Sequence, residues 1–180
     1  EVGKAFKLVV FQNKLGKTLY FAGTTTDKAY YLATTEDFNE AVDVYLEAVD
    51  GVEGGYRLYF YVGETKTYIR AYERTPGEAG KGSGSLELVT TAPTEYYTYD
   101  ETLKTLVVTS ADGLNKYYIG SYGTNTSIGG SNTSYVTAEN LGVSQFPANL
   151  AVLELKQIGP VVKAPAVGEA FKLVVFQNKL

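Results

Sequence analysis

The side chains available for chemistry are 16 tyrosines, 20 Asp and Glu, and 16 Lys and Arg; His, Cys, Met and Trp are absent from all 180 residues. General acid–base work near neutrality draws on His or a buried carboxylate. The one dense carboxylate group, Glu36, Asp37, Glu40 and Asp43, falls at the expected end of a strand on a capped turn. Negative charge there is favourable on its own account. These oxygens suit Ca²⁺ in kind, but the D-x-N-x-x-x-D spacing lacks the Gly and distal Glu of an EF-hand loop. Without cysteine there are no disulfides, thiolate metal sites or thiol nucleophiles. Gly80-Lys81-Gly82-Ser83-Gly84 superficially resembles a phosphate loop, yet it lacks the spaced Gly and the Lys-Ser/Thr ending, and no helix is expected to follow. No catalytic residue, cofactor or metal is therefore expected, and the chain is not expected to be an enzyme. Tyrosine remains: its flat apolar face and hydroxyl suit stacking on, and hydrogen bonding to, a sugar ring.

Whatever these tyrosines do, β-structure must position them. Tyr, Phe, Val, Ile and Thr are abundant and turn signals recur at short intervals. Strands are expected at Phe6–Phe11, Thr18–Ala22, Tyr30–Thr34, Val42–Ala48, Tyr56–Val62, Thr67–Tyr72, Ser85–Thr90, Glu95–Tyr99, Thr105–Ser110, Lys116–Ser121 and Leu150–Lys156. Asp50-Gly51 with Gly54-Gly55, Gly63-Glu64 and Asp112-Gly113 supply turns. Thr35–Val49 carries a rival helical spacing at Phe38, Val42, Leu46 and Val49. It divides into a short capped helical turn through Glu40 and an alternating strand from Val42. Helix is expected only near Glu36–Glu40 and Ala138–Leu141.

Charge and composition narrow the class. The net charge of −4 leaves no basic face for a phosphate backbone, so no nucleic-acid partner is expected. The basic run from Lys14 to Lys17 reads as a solvated hairpin edge. No apolar stretch reaches the ~18–20 residues of a membrane span. The absence of an initiator Met or leader suggests an internal or mature segment. A sulfur-poor, Thr/Tyr/Gly-rich chain suits an extracellular or cell-surface protein exposed to oxidation.

The ends of the chain repeat each other. Residues 2–15, VGKAFKLVVFQNKL, return at 167–180 as VGEAFKLVVFQNKL, differing over 14 positions only at Lys4 against Glu169. A period of 165 residues is a whole domain. The chain thus divides into a β-domain at 1–157, a Pro-containing linker at 158–168, and the first strand of a next repeat at 169–180. That strand, with Ala170, Phe171, Leu173, Val175 and Phe176 as its apolar members, is expected to dock by strand addition on a sheet edge. The partners expected are identical repeats or copies of the chain itself.

A fainter period lies inside the domain. Leu19-Tyr20-Phe21 with Tyr30-Tyr31-Leu32, Leu58-Tyr59-Phe60 with Tyr68-Ile69, and Leu106-Val107-Val108 with Tyr117-Tyr118-Ile119 form three similar hairpin motifs. Strands centred on Leu46-Glu47, Leu86-Glu87 and Leu153-Glu154 follow them. Three such units resemble a β-trefoil, here an all-β barrel of about 11–12 strands, with a Greek-key β-sandwich as the alternative. Leu19, Phe21, Leu46, Leu58, Phe60, Leu106, Val108, Ile119 and Leu153 are the expected core.

The resemblance also implies that Tyr31, Tyr68 and Tyr118 form glycan contacts in up to three similar lobes. The chain departs from ricin-type lectins in having no Gln-x-Trp signature. Asn125 and Asn132 stand in N-x-S/T sequons within the tract 120–137, read as a loop, and are candidate glycosylation sites. The expected role is a structural or adhesive building block of an extracellular array or filament. The alternative is a lectin-like carbohydrate module repeated for avidity.

Overall fold

The computed structural model describes residues 4–75, 83–109, 116–121, 123–132 and 150–155. They form an all-β molecule of antiparallel strands, with no helix among the described residues. In chain order the strands are β1 Phe6–Gln12, β2 Lys17–Thr25, β3 Leu32–Thr35, β4 Tyr45–Ala48, β5 Tyr56–Val62, β6 Thr65–Thr75, β7 Ser83–Val89, β8 Thr98–Asp100, β9 Thr105–Thr109, β10 Lys116–Gly120, β11 Gly129–Asn132 and β12 Ala151–Leu155. They assemble into three four-stranded sheets, ordered β12-β1-β2-β3, β4-β5-β6-β7 and β8-β9-β10-β11. Counted in fours along the chain, each sheet takes the last strand of one group and the first three of the next.

Local sequence accounts for much of this. Alternation along β5 sends Leu58 and Phe60 inward and Arg57, Tyr59 and Tyr61 outward. Its hairpin to β6 is a two-residue turn at Gly63-Glu64, with Val62 paired to Thr65. Gly63 opens the turn at φ 59°, a left-handed conformation that glycine adopts without the steric penalty other residues meet.

A 50-residue period governs the core. Leu8, Leu58 and Val108 on the opening strands, and Leu19, Ile69 and Ile119 on the second strands, each recur at that interval. All six are buried in one apolar cluster. The sequence motifs had aligned Leu19 with Leu58 and Leu106. The structure places Leu19 on the second strand of its group and the other two on first strands, so that alignment slips by one strand. The Leu-Glu pairs slip likewise: β4 and β12 close their groups, whereas Leu86-Glu87 lies on β7, a third strand. The burial forecast is insensitive to the slip, because alternation alone sets the inward face. Eight of the nine expected core residues are buried, and Leu153 is partly buried against the cluster.

Isolated bridges stitch the sheets together. Phe6 bridges Val44, Tyr56 bridges Tyr97, Leu32 bridges Ile128 and Gly120 bridges Leu150. Between β9 and β12 the Thr105 Oγ1 hydroxyl donates to the Ala151 carbonyl at 2.5 Å. No continuous barrel closes among the described residues. Other differences from expectation are local. Asp37–Glu40 is a turn, closed by the Glu40 amide on the Asp37 carbonyl at 3.2 Å, and not a helical segment. The strand expected from Val42 begins at Tyr45, since Val42 and Val44 direct their amides to the Phe21 and Phe6 carbonyls. β11 emerges from a Gly/Ser/Asn tract read as loop, because pairing with β10 outweighs poor intrinsic propensity. Ala138–Leu141 lies outside the described residues.

Leu58→Ala would empty a fully buried position at the centre of this core. It is expected to lower the unfolding free energy by about 2–5 kcal/mol, seen as a lower urea midpoint. Val62→Ala, on the exposed end of the same strand, should stay within about 0.5 kcal/mol of the parent.

Candidate functional site

The outward face of the sheet β4-β5-β6-β7 carries a cluster of aromatic and charged side chains. Tyr45 on β4 stands opposite Tyr59 on β5, and their rings stack at 5.4 Å and 23°. Tyr61, two residues along and therefore on the same face, packs edge-on against Tyr59 at 5.8 Å and is 52% exposed. Lys66 reaches across the β5–β6 ladder to place its ammonium 4.0 Å from the Tyr59 ring centre and 5.0 Å from that of Tyr68. Glu47 anchors the group. It pairs with Lys66, lies 3.5 Å from Arg57 and accepts the Tyr68 hydroxyl at 3.3 Å.

This packing tunes the charges. Burial pushes the Glu47 carboxyl up, but hydrogen bonds from Lys66 and Tyr68 and the Lys66 and Arg57 charges outweigh it and hold the group below its ordinary 4.5. Burial likewise opposes the Lys66 ammonium, and the Glu47 partner raises it overall. Farther along the face, Arg70 bonds Glu95 at 2.9 and 2.5 Å through two nitrogens and Glu87 at 2.5 Å, while its guanidinium lies 4.8 Å from the Tyr72 ring centre. The bond from Arg70 holds Glu95 low, and Glu95 in turn raises Arg70. Cations and carboxylates on this face are thus matched, and the exposed remainder is tyrosine.

A second feature is a polar cleft of about 500 Å³. Thr26, Asp27, Lys28 and Tyr31 from the β2–β3 connection form one wall, and Asn125, Thr126 and Ser127 the other. Thr34 Oγ1 donates to the Thr126 carbonyl and ties the walls together. An edge of the Tyr31 ring abuts Gly129, where an added Cβ would come within 2.6 Å of two ring carbons. The cleft therefore combines one aromatic wall with hydroxyl, amide and carboxylate groups.

The three tyrosines singled out in the sequence are not brought into equivalent places. Tyr68 and Tyr118 are 7% and 5% exposed, with hydroxyls spent on Glu47 and, at 3.1 Å, on Asp100. Burial and the Asp100 charge push the Tyr118 hydroxyl up to about 12. Only Tyr31 lines an open site. Of the sequons, Asn125 is exposed, and its carbonyl accepts from Gln12 and Ser121 at 2.9 and 2.6 Å. Asn132 ends β11. Ala170, Phe171, Leu173, Val175 and Phe176 lie outside the described residues, as do residues 80–82 of the glycine-rich stretch.

The carboxylates Glu36, Asp37, Glu40 and Asp43 go separate ways. Glu36 pairs with Lys17 at 2.5 Å, Asp37 accepts the Asn39 amide at 2.8 Å, Glu40 accepts the Thr35 hydroxyl at 3.0 Å, and Asp43 meets Lys7 at 2.9 Å. The tyrosine face at Tyr45, Tyr59 and Tyr61 escaped the sequence reading. Its signal was present as two outward tyrosines two residues apart, facing Lys66 and Tyr68 across a tight hairpin.

No helix among the described residues is long and apolar enough to cross a membrane. No family model, no curated protein and no solved structure matches the chain.

Because Glu47 and Glu95 are held low in the fold, their stabilisation is complete above about pH 4.5 and fades as the pH falls through their folded values. The variant carrying Glu47→Gln and Glu95→Gln should therefore lose less of its urea midpoint than the parent between about pH 6 and about pH 3.

Proposed function

We propose that the chain is a β-trefoil-like unit of an extracellular tandem array, serving as a structural or adhesive building block. The observation that carries this reading is the character of β1. It is paired on both edges, to β12 and to β2, and five of its seven residues are successive buried ones, Phe6 through Val10. A strand so apolar needs a groove of this kind to bury it, and its sequence returns at residues 167–180 after a Pro-containing linker. The copy is best explained as the opening of another unit.

The trefoil reading is supported by the three groups of four strands, the 50-residue core period and the bridges joining an opening strand to the residue just before the closing strand, Phe6 with Val44 and Tyr56 with Tyr97. It is supported too by the meeting of the hairpins β2–β3 and β10–β11 through Leu32 and Ile128. A two-sheet sandwich accounts less well for three sheets joined in a ring of bridges. The exposed Tyr61 and the half-buried Tyr45 and Tyr59 beside it give such a unit an adhesive surface, since clustered tyrosines offer contact area at little entropic cost.

A second reading is a glycan-binding module, favoured by the cleft that sets Tyr31 among polar groups. It predicts saturable binding on a glycan microarray, lost in Tyr31→Ala. Under the building-block reading no saturable signal is expected.

The array reading is tested on the protein from its native source, pulled by one end in a force microscope. Equal unfolding steps of roughly 55 nm are expected, the contour of a 165-residue repeat at ~3.4 Å per residue. A single step, with no repetition, would leave the second copy without an array to belong to.

A further inference from the structure

We propose that the groove occupied by β1 accepts residues 170–177 of the same chain in place of residues 5–12, so that the protein carries two interchangeable copies of one structural strand. The groove makes specific demands. Its apolar positions take Phe6, Leu8, Val9 and Val10, all buried. It also takes two buried polar side chains. Lys7, 4% exposed, bonds the Ala41 carbonyl, pairs with Asp43 at 2.9 Å and lies 5.1 Å from the Phe38 ring centre. Gln12, fully buried, donates to Ser121 Oγ and the Asn125 carbonyl, each at 2.9 Å.

Burying an ammonium and an amide is costly unless each finds its partners, so a stranger strand of similar hydrophobicity would not fit. The distal copy meets every demand: Phe171, Lys172, Leu173, Val174, Val175, Phe176 and Gln177 repeat Phe6 through Gln12 without change. The sole difference, Lys4 against Glu169, precedes the strand at an exposed position.

Connectivity allows the exchange within one chain. β1 runs antiparallel to β12 with Phe6 opposite Leu155, so the groove begins beside the last residue of β12. Neighbouring strands are about 5 Å apart, and the 15 residues from Lys156 to Ala170 span far more than that at ~3.3 Å each. Tethering at so short a range sets a high effective concentration. The strand would enter in the same register, with Leu173 opposite Leu153 and Val175 opposite Ala151. Thus β12 and the distal copy form a hairpin where β12 and β1 formed a closure between distant parts of the chain. This inference does not require that further units follow, so its failure and that of the array reading are separate.

The test compares three full-length variants by thermal melting with tyrosine circular dichroism and by size-exclusion chromatography. Leu8→Asp with Val10→Asp disables the first copy, Leu173→Asp with Val175→Asp the second, and the third variant carries all four changes. The first two are expected to keep a single cooperative melt and to elute as monomers, and the fourfold variant to lose the melt. A chain shortened to begin at Asn13, which removes the first copy outright, should likewise fold as a monomer. Loss of folding on disabling the first copy alone, in both the substituted and the shortened chain, would overturn the proposal. So would a fourfold variant that still folds, or a first-copy variant that folds only as an oligomer.

Discussion

The ladder between β1 and β12 is the constraint on which the rest of the molecule depends. It joins Phe6 to Leu155 and Val10 to Ala151, binding the opening of the domain to its close. Only with that ladder in place does β1 become interior on both edges, and only then do Leu8 and Val10 face the cluster that also holds Phe21, Leu58 and Ile119. Contacts so distant in sequence carry a larger loop-closure entropy than local hairpins such as β5–β6. That cost falls on the strand with the longest buried run, Phe6 through Val10, which is also the strand most hazardous to leave unpaired.

Two polar groups set the register of that strand. A one-residue slip of β1 would carry Lys7 away from Asp43 and Gln12 away from Ser121, and would turn Leu8 and Val10 outward. Buried ion pairs are weak evidence for stability, since desolvation offsets much of the attraction. Their value here lies in excluding alternatives: Lys7 and Gln12 distinguish the correct strand from the other Val- and Tyr-rich segments that could enter the same groove. The outer face of the second sheet follows a different logic. There Glu47 pairs with Lys66 and Arg57 and accepts the Tyr68 hydroxyl, and Tyr45, Tyr59 and Tyr61 pack beside them as a surface of large area.

Most of the fold was legible because its code is the two-residue period of a half-buried strand. Leu58 and Phe60 alternate with Arg57, Tyr59 and Tyr61, and a Gly-initiated turn fixes where the strand must stop. What the sequence concealed were features made by tertiary pairing. β11 is built of Gly, Ser and Asn, which have no preference for extended structure until β10 offers its edge. The true repeat was hidden because equivalent positions hold different residues, Phe21 and Ala71 for example, both fully enclosed. The site was harder still. Tyr68, Tyr118 and Tyr31 are alike in composition and differ only in what covers them: Glu47, Asp100, or an open cleft. Tyrosine reports its role through exposure, and exposure is a property of the assembled sheets.

Near-identity of strands within one chain raises a question of ordering, which the connections answer in part. The first copy is joined to β2 by the turn Asn13–Gly16, closed by amide bonds from Leu15 to Gln12 and from Gly16 to Asn13 at 3.1 and 3.3 Å. The second is joined to β12 by a connection roughly four times longer. Loop-closure entropy grows only with the logarithm of length, so this advantage is worth about 1 kcal/mol to the first copy. Such a margin decides the resting arrangement without making it exclusive. In a series of such units the same margin would apply at every boundary. Each opening strand would prefer the unit it begins, by the shortness of one turn and not by any difference in the groove that receives it.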